Sequence, residues 1–216
     1  MKVTIVHAHG GGFTSYDPEI GRLRTDALHR SAKLRVVPVE YRLAPEHPYP
    51  AQVADVLDVY RSIEGPVVLL GESAGGTIVL SALLRLLADG EPPPAGVAAI
   101  SPVADLSLPG GSFVTNDGAD ILDRDALRRS IEAYLGDAEA GSASPSRGDF
   151  TGSPPLWLAV GTAEVLLDDV VTLATSARES GVSAELRVYE GAQHGFEFSG
   201  EYPVDADLAA WIGTLG

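Results

Sequence analysis

Gly71-Glu72-Ser73-Ala74-Gly75-Gly76 follows a short apolar run, Val67–Leu70, and opens a stretch rich in Leu and Ala. A serine on a sharp strand-to-helix turn has its hydroxyl pushed out above the sheet. Small neighbours are what so crowded a turn demands. Such a serine attacks carbonyl carbon once a base takes its proton. Read more plainly, the same residues are a glycine-rich helix start with a capping serine, so the pattern needs its context. His9-Gly10-Gly11-Gly12 stands just after the first apolar run. Glycines there let backbone N–H groups converge, and two of them with the N–H of Ala74 would bind a developing oxyanion. The loop lacks G-x-G-x-x-G and Gly-Lys-Ser/Thr, which ranks phosphate binding well below.

The base must be a histidine brought to Ser73. His29 lies inside a helix candidate, His47 in a proline-rich turn, and His7 and His9 in the first strand and its loop. His194, in Gly191-Ala192-Gln193-His194-Gly195-Phe196, alone sits in a loop past the last apolar run. An acid is expected after the run before that. Glu164 comes first there, whereas Asp168 and Asp169 fall in the next helix, where first-turn acids suit the macrodipole. Asp105, beyond the run ending at Ser101, is a further candidate. The order Ser73, Glu164, His194 is that of a strand-turn-helix hydrolase.

These residues need a scaffold. Near-continuous apolar runs at Val3–His7, Leu34–Glu40, Val67–Leu70, Gly96–Ser101, Leu156–Val160 and Leu186–Tyr189 predict six strands covered on both faces. Between them lie amphipathic stretches at Ile20–Ala32, Ala51–Ile63, Ala74–Ala88, Arg124–Leu135, Leu166–Ser180 and Asp205–Leu215. The alternation predicts an α/β chain with a mainly parallel sheet and helices on both sides. Ligands of such sheets sit beyond the strand C-termini. Ser107–Asp123 and Gly136–Pro155 read as surface loops from their Gly, Pro, Ser and Asp. Residues 105–155 would thus be either a lid over the strand ends or a surface excursion. No repeat or long linker divides residues 1–216, which are read as a single domain.

Composition narrows the function. The chain has 216 residues, with 15 basic against 30 acidic, a formal charge of −15. Such a charge opposes phosphate backbones and anionic lipid, so neither nucleic acid nor membrane is an expected partner. No Cys is present, which rules out disulfides and thiolate metal sites. The first residues lack the apolar run of a signal peptide, and no run is long enough to span a membrane. A cytoplasmic location is expected. The last strand run, Leu186–Tyr189, leaves pairing across a homodimer open.

One further stretch is far more specific than any Gly-Ser pattern: Tyr41-Arg42-Leu43-Ala44-Pro45-Glu46-His47-Pro48-Tyr49-Pro50-Ala51. With His9–Gly12, Gly71–Gly76, Ser101-Pro102-Val103-Ala104-Asp105-Leu106 and Pro154-Pro155, it resembles the hormone-sensitive-lipase-like carboxylesterases, the bacterial family IV esterases. The resemblance runs over nearly the whole chain. It implies an α/β-hydrolase fold, a triad of Ser73, Glu164 and His194, and oxyanion donors at Gly11, Gly12 and Ala74. It also implies His9 and the Tyr41–Pro50 turn as supports, with cis bonds at Ala44–Pro45 and Tyr49–Pro50. The activity implied is hydrolysis of small short-chain acyl esters through an acyl-enzyme, with no metal or cofactor. Relatives usually carry Asp-Pro where Glu164-Val165 stands and Asp where Glu72 stands. They also carry a helical N-terminal cap and two more strands ahead of the oxyanion motif; either this chain is a minimal form with that cap largely absent, or Met1 is not the natural start. Other readings keep the site but change the bond, to an amide or lactone, or pass the acyl group to another alcohol. A non-catalytic small-molecule binding protein of the same fold is the remaining alternative. Plant gibberellin receptors are of that kind, but they lack the histidine.

Overall fold

The computed structural model describes residues 3–215. The chain runs β1 (Thr4–Ala8), α1 (Pro18–Ala32), β2 (Arg35–Val39), α2 (Ala51–Ser62), β3 (Val67–Glu72), α3 (Ala74–Asp89) and β4 (Gly96–Ile100). It continues through α4 (Ser112–Thr115), α5 (Arg124–Leu135), α6 (Ala140–Ala143), β5 (Leu156–Gly161), α7 (Leu167–Glu179), β6 (Ala184–Tyr189) and α8 (Val204–Ile212). All six strands pair in parallel in the order β2-β1-β3-β4-β5-β6.

Alternation along the strands divides the core. Val6, Ala8, Leu69, Val97, Ala99, Leu158 and Val160 face one side and pack on α2, α3, α5 and α7. Ile5, Val68, Leu70, Ala98, Ile100, Trp157 and Ala159 face the other, under Leu28 of α1 and Leu208 and Trp211 of α8. A two-residue period thus serves both faces, which is why the interior strands read as unbroken apolar runs. The edge strands depart from that expectation. Both β2 and β6 are half exposed, with Val188 47% accessible, because each has only one neighbour. β6 also starts earlier than its apolar run, since Ala184 and Glu185 pair with Leu156 and Trp157.

Local signals set the helix ends. The Asp17 side chain accepts from the N–H groups of Glu19 and Ile20, with Pro18 at the first position, and Asp123 caps α5 in the same way. Chain direction across the sheet reverses at β1, which lies between β2 and β3. The crevice where ligands bind in such sheets therefore opens beyond the C-terminal ends of β1 and β3. His9–Gly12 and Ser73 stand at those two ends.

The stretches that composition marks as surface loops are built into the core. Phe113 and Phe150 are at most 2% exposed and join the cluster under α3. Among the described residues no helix is long and apolar enough to cross a membrane, and no group of three or more His, Asp or Glu could hold a metal.

Candidate active site

Ser73 has φ 53° and ψ −122°, a backbone region that costs an L-residue about 1–3 kcal/mol. The surroundings enforce it: its N–H donates to Ile100 O at 2.8 Å and its carbonyl accepts from Thr77 N–H at 3.2 Å. A Cβ on Gly75 would lie 2.0 Å from Ala8 O, so α3 can dock against β1 only with glycine there. Ser73 makes no side-chain cap on α3, which disposes of the capping reading. Its Oγ instead lies 2.9 Å from His194 Nε2.

His194 follows β6 in a loop. Its Nδ1 lies 2.9 Å from Glu164 Oε2. A carboxylate only accepts, so the neutral ring carries its proton on Nδ1 and leaves Nε2 to accept from the serine hydroxyl. Burial works against charge on the ring. The hydrogen bond and charge of Glu164, with the charges of Glu197 and Asp120, outweigh it and hold the pKa above the ordinary imidazole value. Glu164 is fully buried, and its Oε1 accepts from Ser101 Oγ and Gly161 N–H, both at 2.7 Å.

Gly11 (φ +114°) and Gly12 (φ +58°) turn the loop after β1. A Cβ on Gly11 would meet Ser15 O at 2.2 Å. Among the described residues, nothing accepts from the N–H groups of Gly11, Gly12 or Ala74. His9 supports this loop. Its ring is stacked between Tyr16 and Tyr41, each 4.1 Å away, and the Tyr41 hydroxyl donates to His9 O at 2.8 Å. Burial drives the His9 pKa below its usual value. The peptide bonds Ala44–Pro45 and Tyr49–Pro50 in the same turn are both cis.

Residues 5–198 match the family of the alpha/beta hydrolase fold. The chain belongs to that family.

Within it, the relatives place the chain in the hormone-sensitive-lipase-like group. It is 40% identical over 187 residues to an acetyl-hydrolase of Streptomyces hygroscopicus, matching 82% of this chain and 62% of that protein. It is 34% identical to an esterase of Acinetobacter venetianus, matching 98% of this chain and 75% of that protein. A solved hormone-sensitive lipase from a metagenome library superposes with a TM-score of 0.94 at 31% identity, over 99% of this chain and 78% of that one. An esterase of the bacterial hormone-sensitive lipase family gives 0.90 at 36% identity, over 97% and 74%.

The other acids of this α/β-hydrolase chain are engaged elsewhere. Asp105 is bound by Arg147 at 2.9 Å and by Ser107. Asp168 accepts from Ser112 N–H at 2.7 Å. Asp169 is buried near Gly110, and burial, then the Asp105 charge, pushes its carboxyl up to about 6. Sequence reasoning missed the residues that hold the loops. Asp120 accepts from His194 N–H at 2.8 Å and Val165 N–H at 2.9 Å, and Asn116 donates to the carbonyls of Thr162 and Glu164. The segment around α4 therefore braces both loops that bring Glu164 and His194 together. Also missed were the buried pair His7–Glu72 (2.7 Å), Arg24 bound to Asp205, and Glu197. A polar, ionisable residue inside an otherwise apolar strand, as at His7 and Glu72, was the available signal for the first pair.

A cleft of about 260 Å³ opens over Ser73 and His194, walled by Tyr16, Ile20, Glu197 and Phe198. A larger groove of about 490 Å³ runs between α3 and the α6 turn, and no triad candidate lines it.

Proposed function

We propose that this chain is a serine carboxylesterase that hydrolyses small, short-chain acyl esters. The observation that carries the reading is the imidazole of His194, within 2.9 Å of both Ser73 Oγ and Glu164 Oε2. As the Ser73 oxygen attacks the ester carbonyl carbon, its proton passes to Nε2. Glu164 then balances the imidazolium and fixes its tautomer. Gly11, Gly12 and Ala74 supply the N–H groups for the oxyanion, each worth about 10²–10³ in rate. The tetrahedral intermediate collapses, the alcohol leaves with the proton from Nε2, and water repeats the sequence on the acyl-enzyme. The size of the cleft, about 260 Å³, supports a small ester. Residues 105–155 serve the site as a brace through Asn116 and Asp120, and none of them lines that cleft.

The test is turnover of p-nitrophenyl acetate, butyrate and octanoate beside a Ser73→Ala variant. Rates that fall from butyrate to octanoate and vanish in the variant are expected. A folded wild-type chain with no turnover would overturn the reading.

A further inference from the structure

Glu197 stands three residues after His194, in the 3₁₀ turn Phe196–Phe198, and lines the cleft beside Ser73. One carboxylate oxygen, Oε2, is turned away from solvent and has no hydrogen-bond partner among the described residues, while the side chain as a whole stays partly exposed to the cleft. A buried acceptor left unbound is costly, and native proteins rarely keep one without use. The Arg24 charge acts on it and the guanidinium stands 5.9 Å over the Phe198 ring, but its ion pair is with Asp205, and its Nε and Nη2 form no hydrogen bond with Glu197. Asp17 and Glu72, the latter paired with His7, also line the cleft, in a chain of formal charge −15. Two aromatic rings also line it: Tyr16, one face of which is stacked on His9, and the half-exposed Phe198, over which Arg24 stands. Carboxylate beside aromatic faces is the combination that takes up alkylammonium groups.

The direction of the chemistry says which half of the ester lies there. The leaving oxygen takes its proton from His194 Nε2, so the groups beside His194 on its own loop face the alcohol moiety. We infer that Glu197 is a specificity-determining residue whose carboxylate binds a protonated amine on the alcohol portion of the substrate. This deepens the esterase reading and rests on it.

The groups facing Glu197 are His194 on its own loop, Glu72 at the end of β3 and Arg24 of α1. Asp205 and His7 stand behind as the partners of Arg24 and Glu72. Burial, then the Glu72 charge, pushes the Glu197 carboxyl up to about 7, so it ionises within the working range.

The experiment compares 2-(dimethylamino)ethyl acetate with its neutral isostere 3-methylbutyl acetate, and the readout is the ratio of their kcat/KM values. In the wild type the ratio exceeds one and rises from about pH 6 to about pH 7.5 as Glu197 ionises, while the amine stays mostly protonated. Glu197→Gln lowers the ratio about tenfold, as loss of a charge-assisted hydrogen bond should. Glu197→Asp keeps part of it. A merely structural role would move both esters together and leave the ratio unchanged, which would overturn the inference. If the variant fails to fold, a wild-type ratio at or below one across the pH range overturns it alone. Hydrolysis of neither ester by folded wild type overturns the esterase reading as well.

Discussion

Replacing Glu164 by glutamine exchanges one carboxylate oxygen for an NH₂ group, and the surroundings dictate which one. Oε1 accepts from Gly161 N–H at 2.7 Å, a group that can only donate, and from Ser101 Oγ at 2.7 Å. An oxygen must stay at that position. The NH₂ group therefore takes the place of Oε2 and donates to His194 Nδ1, which lay 2.9 Å away. The ring is forced into the other tautomer, with its proton on Nε2 facing Ser73. The imidazole can then no longer accept the serine proton, although every heavy atom stands nearly where it did. A triad aspartate replaced by asparagine loses about 10⁴ in kcat for this reason. The same loss is expected here, about 5.4 kcal/mol of barrier at about 1.36 kcal/mol per tenfold. The assay is p-nitrophenyl acetate turnover under saturating substrate, with a thermal melt of the variant showing that it folds. A folded Glu164→Gln protein within tenfold of wild type would refute the tautomer argument and Glu164's role with it.

Because His194 acts only as the neutral ring, kcat/KM should fall as pH drops through a pKa held above the ordinary imidazole value; a limb below that value would contradict the charge arrangement around the ring. Asp120→Asn removes one of those charges, so the limb should move to lower pH. It also sets an NH₂ group against either His194 N–H or Val165 N–H, costing about 1–3 kcal/mol in a denaturant titration. Phe150→Ala, in a stretch that composition marks as loop, should cost about 3–5 kcal/mol, because the ring is fully buried in the main cluster. A urea midpoint within error of wild type would show that the loop is not part of the core.

What could be read from the sequence was whatever rests on local rules. Near-continuous apolar runs place the strands, and Gly71–Gly76, set between a strand run and a helix stretch, reads as a tight turn. Glu164 and His194 stand out as candidates by where they follow strands, and the fold brings both into line with Ser73. The other partners of Glu164 and His194 could not be read this way. Ser101 meets Glu164 from 63 residues away, and Asp120 meets His194 from 74. Neither bond leaves any period or spacing in the chain. Phe113 and Phe150 are single aromatic residues among Gly, Ser and Asp, so their burial depends on a surface that only the assembled sheet provides. Edge exposure of β2 and β6 likewise follows from strand order, which composition does not encode.

The parallel sheet has a consequence for the timing of folding. Every strand pairing waits on a crossover, and β1 can acquire both neighbours only after β2 and β3 have formed on either side of it. The contact between hydroxyl and imidazole joins residues 121 positions apart, through a loop that depends on the last strand. Contacts of such sequence separation form slowly, because chain entropy must be lost before they reward it. Helix signals can return early in refolding while turnover stays at zero. The recovery of activity is thus a clock on the docking of β6, and no fragment that stops short of that strand contains the site.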